Sequence, residues 1–258
     1  ATTGNVYYTR PGDTGWSNIS NATVRSGTTD NPPFFCSIMT ASVGQRIVSV
    51  NGVNPPIVWS GATADIFVTL TTAVIGGCVA PWKNHLLQGD TIDVADGAIL
   101  TRVHWSALGD PATWTGTASA GSIDLTEANA SRVLNLVPMR STLVAYKEEG
   151  AHAINYRAAP LWFTQTLLHP HIAALSRRAM APIDGGERHF VFTKEGAILW
   201  DGQSILPIGR DRVDRTLLRS LNWDARHSIW TRWWARDNEV FLALPTGTST
   251  SPNRLWVY

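Results

Sequence analysis

The chain has 258 residues, of which 44% are hydrophobic and 16% charged, and its formal net charge is +1. This length allows one large all-β domain or two small ones. The low and balanced charge argues against a general nucleic-acid surface, which needs a concentrated basic stripe. No run of 18 apolar residues occurs, so the sequence predicts no membrane-spanning segment.

Residues 1–33 are predicted to form a loop-rich extension, because Gly, Thr, Asn and Pro are frequent there. Residues 6–9 fit a single strand within it, and residues 28–33 are a cluster of strand-breaking residues. The rest of the chain, residues 34–258, carries the repeated strand patterns and is predicted to be one domain.

Two copies of one pattern lie between residue 34 and about residue 118. Cys36 and Cys78 occupy matching strand-like runs, and each copy ends in a Trp-Ser pair, Trp59–Ser60 and Trp105–Ser106. These pairs stand 46 residues apart, a period typical of the four-stranded blade of a β-propeller. Two cysteines do not make a disulfide framework, so both are predicted to be buried thiols.

A turn is predicted at Gly109, Asp110 and Pro111, between the second Trp-Ser pair and Trp114. Sialidase Asp-boxes also combine Ser, Asp, Gly and Trp in a hairpin, but in them Asp precedes Gly. The pattern does not recur in the other units, and even a true Asp-box is a structural turn. The sequence therefore favours a structural motif over an enzymatic one.

Three further units and one helix are predicted after residue 118. Strands are expected at 121–125, 133–138, 142–147 and 151–156, then at 188–193, 197–200 and 205–209, then at 228–235, 239–244 and 254–258. Val213, Leu217 and Leu221 share one helical face, which predicts a helix over 213–221 inserted at a blade edge. The sequence thus predicts an all-β, β-propeller-like domain of about five short four-stranded blades with one short helical insertion.

The last strand, 254–258, is expected to pair with residues 6–9, because propellers often complete one blade from both ends of the chain. The alternative is a longer native protein in which this strand is followed by further residues.

Histidines and aspartates are the candidates for chemistry. His169 and His171 lack a third ligand at a recognisable spacing, so solvated loop histidines are favoured over a metal site. Asp before Gly is more typical of a turn than of a catalytic pair. Phosphate loops, a nucleophile elbow and the His-Glu-x-x-His motif do not occur, so no catalytic, cofactor or metal site is predicted. The candidates for paired carboxylates in a central channel are Asp184, Asp201, Asp211 and Asp214.

Two basic clusters, at 177–178 and 210–219, are candidates for contact with nucleic acid. Asp211 and Asp214 are interspersed in the second cluster, so intramolecular ion pairs are the favoured interpretation. If a channel passes DNA, weak and mixed charge suits it, because strong phosphate contacts would hold the DNA back.

Twelve tryptophans are many for this length. Large aromatic side chains suit both the space between packed sheets and the surfaces where subunits meet. The candidates for exposed interface residues, with ordinary blade core as the alternative, are Trp16, Trp162, Phe163, Trp233 and Trp234.

Several segments resemble the propeller-type tail proteins of tailed bacteriophages, chiefly the short-tailed ones. The most specific is the string Trp-Ser-x-Leu-Gly-Asp-Pro-x-x-Trp over 105–114, and the others follow general propeller patterns. The resemblance covers about residues 34–258 and is carried by residues 78–89, 102–114, 136–148, 190–202 and 239–247.

The resemblance implies a non-enzymatic virion protein without a cofactor, present in several copies around the tail axis as a hub or nozzle. It implies a ring, expected to be sixfold, that contacts neighbouring adaptor, fibre or spike proteins and frames the DNA exit path. Assembly would occur in the cytoplasm of the host bacterium. The chain is short for this family, and its first 33 residues carry no feature of it.

Two other functions stay open. A glycan-binding or glycan-hydrolysing propeller predicts a pocket that holds at least two close carboxylates. A cellular scaffold for protein partners predicts a stable monomer with one exposed patch.

Overall fold

Antiparallel strands make up nearly all of the regular structure in the computed structural model, which describes residues 6–9, 14–20, 33–40, 44–62, 64–127, 129–210 and 213–258. Five sheets follow one another along the chain, each an up-and-down meander like a propeller blade. The predicted all-β, propeller-like fold of about five blades is therefore confirmed. The chain divides into two compact units, Ala1–Asp124 and Leu125–Tyr258.

The first unit contains a short hairpin and two four-stranded sheets. The hairpin pairs β1 (Tyr7–Tyr8) with β2 (Ser17–Asn18). The first sheet has the order β3 (Phe34–Thr40), β4 (Gly44–Val50), β5 (Ile57–Trp59) and β6 (Val68–Thr69). The second sheet has the order β7 (Val74–Trp82), β8 (His85–Asp93), β9 (Gly97–Trp105) and β10 (Gly121–Asp124).

The second unit contains three sheets and the helix. The third sheet is β11 (Val133–Met139), β12 (Thr142–Lys147), β13 (Ala151–Ala158) and β14 (Trp162–His169). The fourth is β15 (Met180–Ile183), β16 (Arg188–Thr193), β17 (Gly196–Trp200) and β18 (Ile205–Pro207). The fifth is β19 (Trp230–Trp234), β20 (Glu239–Leu244) and β21 (Arg254–Val257). Helix α1 spans Asp214–Ser220, as predicted, and two 3-10 turns span Asp184–Gly186 and Trp223–Ser228.

The repeat marks equivalent places in the first two sheets. Trp59 ends β5 and Trp105 ends β9, and each of these is the third strand of its sheet. Cys36 and Cys78 lie in the first strands, β3 and β7. Cys78 is buried as predicted, whereas Cys36, which lies on the edge strand β3, is half-buried. Burial still raises the pKa of the Cys36 thiol to about 12.

Three strand predictions need correction. Residues 121–124 pair with β9 and complete the second sheet, instead of opening the third. Strands β14 and β15 were not predicted, because β14 mixes polar and apolar residues without alternation and β15 contains Pro182. The terminal strands do not pair with each other among the described residues: β1 pairs with β2, and β21 pairs with β20. The fifth sheet accordingly has three strands instead of four.

Proline positions agree with the sheet order. Pro81, Pro138, Pro182 and Pro207 lie in β7, β11, β15 and β18, and each of these strands is at the edge of its sheet. Proline lacks the N–H that a central strand needs for two neighbours, so an edge strand accommodates it.

Successive sheets within a unit pack face to face. We call the face that packs on the preceding sheet the front face, and the opposite face the rear face. In the first sheet, the rear face is the one that packs on the second sheet. Val48 and Val50 of the first sheet pack on Val74 and Leu86 of the second. The hairpin covers part of the front face of the first sheet, where the Tyr8 and Trp59 rings stand 4.7 Å apart.

The fourth sheet is covered on both faces, because side chains on a strand alternate between faces. Val191 on its front face packs with the third sheet. Phe190 and Phe192 on its rear face pack with Leu242 of the fifth sheet. These four side chains are completely buried.

Buried polar groups join the third and fourth sheets. His189 Nε2 lies 2.8 Å from the backbone oxygen of Pro138, which only accepts, so this nitrogen donates. Nδ1 then accepts a 2.7 Å hydrogen bond from the hydroxyl of Tyr146. This neutral imidazole is completely buried, and burial lowers its pKa to about 4.

Lys147 is buried at the end of β12 and holds the segment that leads into the third sheet. Its ammonium donates to the backbone oxygens of Leu125 and Asn129 at 2.7 and 2.5 Å. Burial lowers its pKa. Among the described residues, no helix has the length and apolar character needed to cross a membrane.

Candidate interaction surface

The first Trp-Ser pair fastens the end of β5 to the loop before β6. Trp59 is buried, and its indole Nε1 donates to the backbone oxygens of Ala62 and Asp65, both at 3.1 Å. Ser60 donates to the carboxylate of Asp65. The side-chain polar groups of this pair thus form hydrogen bonds within the blade.

The second pair holds the end of β9 in the same way. Ser106 is buried, and its hydroxyl accepts from the N–H of Leu86 at 3.0 Å while donating to the oxygen of Ala107 at 3.1 Å. Trp105 lies against Gly121 of β10, where a Cβ would collide with the indole ring. The glycine therefore lets the fourth strand approach the tryptophan.

The turn after Ser106 is closed by its own side chains. Gly109 has a φ of 72°, which favours glycine. The Asp110 carboxylate accepts from the Thr113 hydroxyl at 2.6 Å, and this hydrogen bond lowers the pKa of the carboxyl group. Buried Trp114 donates from Nε1 to the backbone oxygen of Pro111 at 2.8 Å. These contacts agree with the structural interpretation of the motif.

A network that the sequence did not indicate lies beside this turn. Arg102 is largely buried and is surrounded by carboxylates. His104 lies 3.1 Å from the carboxylate of Asp93 and 3.1 Å from the backbone oxygen of Trp114. The Arg102 guanidinium nitrogens lie 2.8, 2.5 and 2.7 Å from carboxylate oxygens of Asp93, Asp96 and Asp124. With three acidic partners, this arginine is not available to bind an external phosphate.

A cleft of about 290 Å³ lies next to the same turn. Trp82, Lys83, His85 and Pro111 line it, and the Lys83 ammonium stands 5.3 Å from the centre of the Trp82 ring. Burial lowers the pKa of His85. No carboxylate is among the residues that line this cleft, so it lacks the groups for glycoside hydrolysis.

A second cleft, of about 370 Å³, lies in the second unit and contains the His169–His171 pair. The His171 N–H donates to Nδ1 of His169 at 3.1 Å. Lys194 lies 3.7 Å from Glu149 at the edge, and Glu195 completes the charged lining. Among the described residues, no group of three His, Cys, Asp or Glu is arranged to hold a metal ion.

The predicted aspartates do not come together. Asp184 pairs with Arg188, and Asp201 accepts from the backbone N–H groups of Gln203 and Ser204 in a turn. Asp214 is buried and accepts from Ala197 N at 3.1 Å. Asp211 lies outside the described residues. Three of the four candidate aspartates thus have structural partners. Among the described residues, none of these three carboxylates contacts another candidate aspartate.

The described residues of the two basic clusters differ in exposure. Arg177 is buried and Arg178 is partly buried, and burial lowers the pKa of Arg178. In the part of this segment that the structure describes, Asp214 forms none of the predicted ion pairs, and its carboxylate accepts from Ala197 N. Arg215 and Arg219 are exposed on α1.

The predicted interface aromatics differ in exposure. Trp16 and Trp234 are exposed, and Trp162 is half-buried. Phe163 is buried, so its predicted exposure is wrong: it points inward from β14 and contacts Tyr156. Trp233 is also turned inward and packs in the core between the fourth and fifth sheets. Neighbouring residues on one strand point to opposite faces, which explains both results.

The rear face of the fifth sheet is an exposed surface of the second unit on which apolar side chains are arranged in rows. The strand register places Trp230, Ala243 and Leu255 in one row, and Arg232, Phe241 and Val257 in the next. Trp234 and Glu239 form a third row. The exposed fractions are 36% for Trp230, 44% for Trp234, 55% for Leu255 and 51% for Val257.

Comparison with protein-family models and with curated proteins finds no match. Among solved structures, the chain is similar to "BBS1N in complex with ARL6DN", with 10% identity and a TM-score of 0.50. That alignment covers 89% of this chain and 68% of the other. The likeness is one of fold.

The chain is also similar to a "putative 6-phosphogluconolactonase from Bacteroides uniformis ATCC 8492", with 10% identity and a TM-score of 0.39. That alignment covers 88% of this chain and 80% of the other.

Proposed function

We propose that this chain is a non-enzymatic structural subunit that assembles into a ring in the tail of a bacteriophage virion. The observation that carries the proposal is the exposed apolar rear face of the fifth sheet. Exposed apolar surfaces of this kind mark sites of protein association. Three of the four candidate carboxylates, in contrast, are engaged in turns and in the core: Asp184, Asp201 and Asp214.

The tail assignment itself is supported by the resemblance of residues 78–89 and 102–114 to propeller-type tail proteins. In this proposal the ring frames the DNA exit path and contacts adaptor, fibre or spike proteins. The near-neutral charge suits a channel that DNA leaves quickly. Ring subunits use heterologous contacts that close by rotation.

The test measures the mass of the purified protein by light scattering and locates the chain in virions by cryo-EM. We expect a discrete multiple of 28.2 kDa and density around the tail axis. A strictly monomeric protein that is missing from particles would reject the proposal.

A glycan hydrolase is the second candidate, and the cleft that contains Glu149 and Glu195 favours it. Two carboxyl groups on one sugar are the requirement for this chemistry. If this function holds, Glu149→Gln and Glu195→Gln each abolish turnover of a glycan from a screening panel. Glu187→Gln, which only removes a surface pair with Arg140, serves as the matched control.

A further inference from the structure

Of the described residues that line the cleft of about 290 Å³ in the first unit, one carries a permanent positive charge and none a negative charge. The positive charge is the ammonium of Lys83, which is exposed at the tip of the hairpin between β7 and β8. This ammonium forms no ion pair with any carboxylate that the structure describes. A cleft with walls of a single charge sign attracts ligands of the opposite sign, so an anionic ligand is expected here.

The walls of this cleft combine an aromatic ring with neutral polar groups. The half-buried indole of Trp82 lies 5.3 Å from the Lys83 ammonium, measured from the ring centre. Ser37 and Asn84 are exposed at the cleft. The Ser37 hydroxyl accepts a 2.7 Å hydrogen bond from Gln45, so its own O–H can donate, and the Asn84 amide both donates and accepts. The cleft can therefore contact a ring, polar substituents and a negative charge together.

The hairpin tip that carries these groups is fixed to the neighbouring loop. The Asn84 oxygen accepts from the Gly109 N–H at 2.7 Å, and Nδ1 of His85 donates to the backbone oxygen of Ser106 at 2.6 Å. Lys83 and Asn84 have φ values of 51° and 60°. Such hairpin positions favour Asn and Gly, so a lysine there costs strain, which proteins retain more often at binding sites than elsewhere.

The neutral polar groups decide between two kinds of anionic ring. An aromatic carboxylate would stack on Trp82 and pair with Lys83, but it would cover Ser37 and Asn84 without giving them hydrogen bonds, which costs free energy. A sugar ring offers apolar C–H groups to the indole and hydroxyls to Ser37 and Asn84. The cleft is at the small end of the range for ligand pockets, about 300–1,000 Å³, so it suits a single ring.

We propose that this cleft binds one sugar residue that carries a carboxylate, as acidic polysaccharides do. The sugar's apolar face lies on the Trp82 indole, its carboxylate accepts from the Lys83 ammonium, and its hydroxyls bond to Ser37 and Asn84. The described lining supplies no pair of carboxylates, so the site is one for binding and not for hydrolysis. This inference goes beyond the proposed ring and does not rest on it, because the whole site lies in the first unit.

The test measures binding of glucuronate, galacturonate and N-acetylneuraminate, with glucose and galactose as uncharged counterparts. Saturation-transfer NMR at about 10 mM sugar detects dissociation constants near about 1 mM. We expect at least one acid to bind about fivefold more tightly than the uncharged sugars. Its affinity should fall as sodium chloride is added, because salt screens exposed charges.

Two variants change the charge of the cleft. Lys83→Gln should weaken binding of the acid by about fivefold and remove its salt dependence. Asn84→Asp keeps a residue that tolerates the left-handed backbone and adds a carboxylate that repels the acid. Both side chains are exposed, so the fold tolerates the changes, and far-UV circular dichroism checks this. The matched control Arg215→Gln removes an exposed positive charge in the second unit and should leave binding unchanged.

Four results would overturn the proposal. The first is that none of the three acids binds. The second is that Lys83→Gln and Asn84→Asp both bind the acid as wild type does, which would place its site elsewhere. The third is equal binding of acids and uncharged sugars, and the fourth is tighter binding of benzoate than of every sugar acid. None of these results bears on the ring, which the mass of the protein tests separately.

Discussion

The fourth and fifth sheets are built by the same strand pattern and differ in what covers them. Phe190, Val191 and Phe192 of the fourth sheet are buried from both sides. In the fifth sheet Leu242 is completely buried on the front face, whereas Val257 on the rear face is half exposed. An apolar strand pattern therefore does not by itself bury a sheet face. The face is buried in the single chain only where a neighbouring sheet packs on it.

The largest effect expected from this difference is a loss of core volume. Phe192→Ala removes a completely buried ring between the fourth and fifth sheets, and we expect it to lower the free energy of unfolding by about 3–5 kcal/mol. Val257→Ala, on the open face, is expected to change it by less than about 0.5 kcal/mol. Urea unfolding at low protein concentration measures both. Equal losses would show that the rear face is covered within the single chain.

A pH-dependent effect is expected on the front face of the fourth sheet. The pKa of His189 falls from 6.5 to about 4 in the folded chain, so between these values the unfolded chain binds a proton that the folded chain does not. Stability therefore rises with pH across this window and is lost as the pH falls from 6.5 to 4. The shift corresponds to about 3 kcal/mol.

The measurement compares wild type with His189→Gln, whose amide donates and accepts hydrogen bonds but does not titrate. The difference in unfolding free energy between the two proteins should change by about 3 kcal/mol between pH 4 and pH 6.5. Other titrating groups, such as His152, are present in both proteins and cancel. If the unfolding free energies of the two proteins changed equally with pH, His189 would not be the source of this pH dependence.

Much of the fold could be predicted because the signals are local. The Trp-Ser pairs at Trp59 and Trp105 each mark the end of a strand. The predicted strands 188–193 and 197–200 form a hairpin, and the apolar run at 239–244 forms β20. Each of these signals lies within about fifteen residues of the sequence. Strand β10 was assigned to the wrong sheet because its four residues include one apolar side chain, and only the register with β9 shows its partner.

The surface was harder to predict because it depends on pairing across strands. The sequence made both Trp234 and Phe163 candidates for exposed positions, with blade core as the alternative. Trp234 is exposed and Phe163 is buried, because the strand decides which face each side chain points to. Leu255 and Val257 became part of the rear face only through their register with Ala243 and Phe241. The Arg102 network likewise joins residues from three strands, and no local spacing indicates it.

A smaller effect is expected where α1 packs on the fourth sheet. A Cβ at Gly209 would overlap the carboxylate of Asp214, which accepts from Ala197 N. Gly209→Ala is therefore expected to cost about 1–3 kcal/mol. In an Asp214→Ala background the overlap is absent, and the same substitution should cost less. Equal costs in the two backgrounds, measured as a double-mutant cycle, would show that the two residues are not coupled.

The smallest effect on the isolated chain is expected from Leu255→Asp on the rear face of the fifth sheet. The side chain is exposed, so unfolding at low concentration should change by less than about 0.5 kcal/mol. If the proposed ring forms, the wild type gains stability from association at high concentration by mass action, and its thermal midpoint should then rise with concentration. The variant should lack this rise, because the added charge on the rear face of the fifth sheet opposes association through that face. If the thermal midpoint rose equally in both proteins, self-association would use a different surface. The open rear face of the fifth sheet would then have no role in assembly.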